Sequence, residues 1–112
     1  MEKRIVEITQ TALADMEEIY DYIADVLLAP ENAMGQYNRI ADAILTWESN
    51  PERCPFFEAE PEQSWRMRRM VIDNYLVCYI VDQDKVTVTD VLYGASNVHV
   101  RLKARHMSEP DT

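Results

Sequence analysis

Residues 65–94 read WRMRRMVIDNYLVCYIVDQDKVTVTDVLYG, and this stretch decides the fold. Trp65–Ile72 opens it as an arginine-rich strand. Asp73-Asn74 follows as a two-residue turn, built from residues that tolerate positive φ. Tyr75–Val81 is almost unbroken apolar sequence and reads as a central strand. Asp82–Lys85 turns the chain again. Lys85–Tyr93 alternates Val86, Val88 and Leu92 against Thr87, Thr89 and Val91, the period of a strand. Gly94 ends it. A three-strand antiparallel meander is the expectation.

Upstream of the meander the period changes. Arg4–Ile8, RIVEI, alternates and is rich in β-branched residues, so it reads as a short strand. Leu13, Met16, Ile19, Tyr20, Ile23, Val26 and Leu27 then recur at spacings of three and four, one apolar helix face. Asp15, Glu17, Glu18, Asp21 and Asp25 occupy much of the rest. Pro30 breaks this helix and suits the first turn of a second. Ala33, Tyr37, Ile40, Ile44 and Trp47 form that helix's stripe, and Asn50-Pro51 ends it. The short connection predicts an antiparallel helical hairpin. Glu52–Ser64 shows no period and reads as an ordered loop with Phe56 and Phe57 against the core. Trp47 and Trp65 are expected to seal the helix–sheet interface. The fold class is therefore α+β: an N-terminal strand and a helical hairpin packed as two layers on a small antiparallel sheet. A single domain is expected over 1–106, with 107–112 as a flexible tail.

Composition narrows the function classes. The chain has 112 residues, 47% apolar and 28% charged, with two glycines and five prolines. That is one globular domain, neither disordered nor fibrous. The net charge of -9 opposes strong direct binding to nucleic acid, which needs clustered cations. The charge is uneven: residues 1–50 carry 3 basic and 10 acidic side chains, and residues 51–112 carry 8 and 10. The cations cluster at Arg66, Arg68 and Arg69 and again at Arg101, Lys103 and Arg105. Cys54 and Cys78 show no metal-binding spacing and read as reduced thiols, Cys78 as a small core residue. No metal and no cofactor are expected. Met1–Thr9 has no apolar run of a secretory leader. Nothing approaches the ~20 apolar residues of a membrane span. The expectation is a soluble, cytoplasmic protein.

The order of these elements, and their residues, resemble the RelE/ParE family of bacterial type II toxins. The carriers are ALADMEEIYDYIA at 12–24, PENA at 30–33, AILTWESNPER at 43–53, RRMVIDNYLVCYIV at 68–81 and VTVTDVLYG at 86–94. The resemblance runs from about Ile5 to Leu102. It implies a cognate antitoxin as partner, and one of two modes of action. ParE-like members inhibit DNA gyrase without being nucleases. RelE-like members cut messenger RNA on the ribosome, which needs an activating group and cations around a phosphate. Only Arg66 and Arg68, with His99, are available for that role here. Leu76 stands where such enzymes can place an arginine, and Ala95-Ser96-Asn97 stands where the family commonly has basic residues. The resemblance is thus closer to the ParE-like members, and an mRNA endonuclease or an inactive binding module remain the alternatives. Arg66, Arg68, Arg69, Arg101, Lys103 and Arg105 are the candidates for contact with antitoxin or target. The plain reading of the last three is a solvated arm, and of the acidic helix face a solvated surface or one that meets basic antitoxin residues. A homodimer is compatible with the resemblance.

Overall fold

A computed structural model describes residues 4–58, 60–94 and 97–106. The apolar run becomes β3 (Tyr75–Val81), an inner strand of a four-stranded sheet. It pairs antiparallel with β2 (Met67–Ile72) on one side and β4 (Lys85–Tyr93) on the other. The turns fall at the expected places, and Asp73 takes the positive φ of 56° that its turn requires. A bulge at Cys78/Tyr79 shifts the register between β3 and β4.

The sheet is mixed, not purely antiparallel. β1 (Ile5–Ile8) joins the outer edge of β4 in parallel, from Ile5 opposite Lys85 to Ile8 opposite Val88. Alternation marks a strand but carries no sign of its direction. The partner lies 80 residues away, and the helical hairpin between them supplies the crossover a parallel pair needs. β2 also begins later than Trp65, because Arg66 sits at φ 60° and cannot continue a strand. Residues 61–66 wind into tight turns instead, closed by Met67 N–H on the Glu62 carbonyl at 3.1 Å.

The hairpin forms as expected. α1 (Gln10–Asp21) is capped by the Thr9 hydroxyl, which accepts from Ala12 N–H at 3.1 Å. A wider π-type turn at Tyr22–Val26 follows, then α2 (Pro30–Leu45) with proline in its first turn. Met16, Ile40, Ile44 and Trp47 pack on Val77, Tyr79, Val86 and Val88. Trp47 stacks on Tyr79 with centroids 3.7 Å apart.

The second face of the sheet is covered as well. α3 (Val98–His106) places Val98 and Leu102 against Leu76, Cys78, Leu92, Met67 and Phe57. The two-layer expectation thus gains a layer. This explains the unbroken burial of Tyr75–Tyr79, since a strand covered on both faces has no solvent side. Trp65 packs in this second cluster, half-buried and edge-on to His106 at 5.5 Å, away from the hairpin. Cys54 and Cys78 are both free and buried. Residues 107–112, expected as a tail, lie outside the described residues.

Candidate functional site

The outer edge of β4 organises the candidate site. β1 stops at Ile8, opposite Val88, while β4 runs on to Tyr93. Backbone groups beyond Val88 therefore lose their strand partner and need others. Side chains supply three. The Thr9 hydroxyl donates to Thr89 O at 3.4 Å. The buried Asp15 carboxylate accepts from Val91 N–H at 3.0 Å. Arg101 donates from both terminal nitrogens to Tyr93 O, at 3.0 and 2.8 Å.

Arg105 locks this arrangement. Its Nη1 and Nη2 each lie 2.8 Å from an Asp15 oxygen, and Nη1 is 2.9 Å from Asp90 Oδ1. His106 Nε2 is 2.9 Å from Asp90's other oxygen. Asp90 is fully buried. The paired carboxylates, Asp15 first, push the Arg105 pKa further up against the desolvation that would lower it. Arg101 and Arg105 are thus fixed to α1 and β4 and are not a solvated arm. Lys103 is exposed. The partners of Arg105 stand 15 and 90 residues away in sequence, beyond the reach of any local pattern.

The other arginines divide between two faces. Arg68 opposes Tyr79 in the register, on the hairpin side. Its Nη1 donates to Cys54 O at 2.7 Å and Glu52 O at 3.1 Å. Its guanidinium covers the Phe56 ring at 4.0 Å, and that of Arg66 lies over the same ring at 5.1 Å. Arg69 opposes Cys78, on the α3 side, with its guanidinium 5.7 Å from the Phe57 ring. His99 also meets Phe57, at 6.4 Å, and its Nδ1 is 2.9 Å from Oε2 of the fully buried Glu62. Arg69 and His99 line one shallow depression of about 580 Å3. Arg66 and Arg68 therefore come together, but through Phe56 and not through strand alternation, and His99 joins Arg69 instead. Leu76 is buried in the second core. Ala95 and Ser96 lie outside the described residues.

The larger concavity is a groove of about 1030 Å3 between the hairpin and the free end of β4. Tyr22, Leu27 and Tyr93 line it and are 54%, 56% and 65% exposed. Tyr75 lies in its wall, with burial pushing the phenol pKa up. Glu18 and Glu31 stand on the helix side. At one end Gln36 and Arg39 donate to Asp73 Oδ2 at 2.9 and 2.8 Å, and Arg39 first holds that carboxyl below its ordinary pKa. The sequence reading placed Leu27 and Val26 in the core-facing stripe, yet both are exposed. One signal could have marked the groove. The stripe of seven apolar residues on the first helix is more than one contact with a sheet needs. An open apolar wall beside a strand edge is suited to binding a chain segment.

The chain matches the family model described as ParE toxin of type II toxin-antitoxin system, parDE, over residues 6–98. Among solved structures, one described as the chromosomal ParDE TA system from P. aeruginosa has the same fold, with a TM-score of 0.69. Its sequence is 18% identical, and the match covers 83% of this chain and 98% of that one. No curated protein matches the chain.

Proposed function

Because this chain belongs to the ParE toxin family of type II toxin–antitoxin systems, we propose that it arrests growth by binding a macromolecular target, DNA gyrase by analogy, and that a cognate antitoxin neutralises it in the cytoplasm. It is the toxin component of such a pair. The observation that favours binding over RNA cleavage is the division of the cations. Arg68 is committed to backbone carbonyls on the hairpin side, and His99 to Glu62 on the α3 side. General acid–base chemistry on a phosphodiester needs such groups around one atom.

Inducible expression tests this reading. Growth should stop when the chain is made alone and resume when the gene beside it is co-expressed. Purified protein should block supercoiling by gyrase while translated messages stay intact. Codon-linked message cleavage that disappears with Arg68→Ala would replace the binding reading with the nuclease one. Unchanged growth without antitoxin would reduce the chain to an inactive binding module.

A further inference from the structure

The hydrogen bonds along β4 leave two backbone groups over. Gly94 N–H donates to Asn74 O at 2.7 Å, which sets the parity of the β3–β4 ladder. Residues 90 and 92 turn their backbone groups toward β3, and residues 91 and 93 turn theirs away. On that outer side Val91 N–H is held by Asp15 and Tyr93 O by Arg101. Val91 O and Tyr93 N–H point the same way and carry no hydrogen bond among the described residues. Both residues line the large groove.

This vacancy has a direction. A parallel neighbour bonds through a single residue, whose N–H reaches one carbonyl and whose C=O accepts from the amide two positions on. Val91 O and Tyr93 N–H are such a pair. An antiparallel neighbour would instead need both groups of Val91 or both of Tyr93, and one of each is already taken. The vacant positions also continue the line of β1, which is itself parallel to β4.

The groove's charge has a sign as well. Arg105 is matched by Asp15 and Asp90, Arg39 by Asp73, and Arg101 by carbonyls. Glu18 and Glu31 remain without an ion pair among the described residues. We propose that an extended segment of the antitoxin adds to β4 as a parallel strand, bonded at Val91 O and Tyr93 N–H. Its apolar side chains meet Tyr22 and Leu27, and its Lys or Arg side chains meet Glu18 and Glu31. This rests on the toxin–antitoxin reading and names where and how the partner is held. Backbone pairing supplies affinity, and side chains in the groove supply specificity.

The test uses the full chain and the antitoxin encoded by the adjacent gene. Tyr93→Ala keeps the edge N–H, and Tyr93→Pro removes it at a position where an edge strand tolerates proline. Binding by Tyr93→Pro should be about tenfold weaker than by Tyr93→Ala, the loss of one hydrogen bond. Equal affinities with equal melting temperatures would overturn the proposal. If Tyr93→Pro does not fold, hydrogen exchange of the wild-type Tyr93 amide decides. It should slow at least about tenfold in the complex, and an unchanged rate would overturn the pairing. Glu18→Lys with Glu31→Lys should weaken binding about tenfold, less so at high salt. Affinity indifferent to both changes would remove the basic partner. Failure of any neighbouring gene to relieve growth arrest would sink the toxin–antitoxin reading itself, a result distinct from these.

Discussion

Replacing Arg105 with alanine should destabilise the fold far more than a residue of a solvated arm could. The guanidinium makes charge-assisted bonds to Asp15 at 2.8 and 2.8 Å and to Asp90 at 2.9 Å. Removing it leaves carboxylates whose side chains are 8% and 0% exposed. Stranding one partner of a buried pair costs about 3–5 kcal/mol. Two features moderate the loss: Asp15 keeps Val91 N–H, and Asp90 keeps His106. Water also reaches a site from which a partly exposed side chain has been removed. The expected cost is about 3 kcal/mol, or a fall of about 12 °C in Tm for a domain of this size. Urea unfolding followed by the fluorescence of Trp47 and Trp65 measures it. Lys103→Ala on the same helix is the control and should stay within about 0.5 kcal/mol. In an Asp15→Ala background the effect of Arg105→Ala should shrink by about 2 kcal/mol, because the pair is already broken. A loss under about 1 kcal/mol for Arg105→Ala would refute the reasoning. It would mean that water solvates both carboxylates as well as the arginine does.

Tyr79→Phe deletes the buried bond from the hydroxyl to Pro51 O at 2.7 Å and strands that carbonyl. Chemical denaturation should show a loss of about 1–2 kcal/mol with the ring stack on Trp47 retained. Burial pushes the Cys78 thiol pKa well above its ordinary value. Above about pH 8.5 the unfolded chain therefore releases a proton that the native state keeps, and stability falls as pH rises, by up to about 1.4 kcal/mol per unit for this thiol. Cys78→Ala should flatten the stability profile between about pH 8.5 and 10, and a parallel profile would contradict it. Leu28 is held at φ 55° on an 81% exposed position between the helices. Leu28→Gly should raise stability by about 0.5–1 kcal/mol, since the relieved strain exceeds the added backbone entropy of the unfolded chain. A drop in Tm would show that the leucine side chain contributes packing there.

The strands, their turns and the helical hairpin were legible because each depends on neighbours a few residues away. Alternation in Lys85–Tyr93, the turn chemistry of Asp73-Asn74 and the stripe from Ala33 to Trp47 are local signals. The candidate site was legible only as a list of cations. Arg66, Arg68 and Arg69 look equivalent along the chain. Yet Arg68 is bound on the hairpin side, Arg69 faces α3, and Arg66 ends in a left-handed turn before the strand begins.

The sequence by itself determined the α+β class, the order of the elements and the family likeness, since these follow from short-range periodicity and turn residues. Only the tertiary structure decided that β1 runs parallel to β4, because no local pattern carries strand direction across 80 residues. It likewise decided that α3 covers the second face, and that Arg101 and Arg105 serve the edge of β4. Their partners lie in other elements, and desolvation selects pairs by distance in space. The groove arises from a mismatch of lengths: β1 ends at Ile8 while β4 continues to Tyr93. Neither strand's sequence states the length of the other.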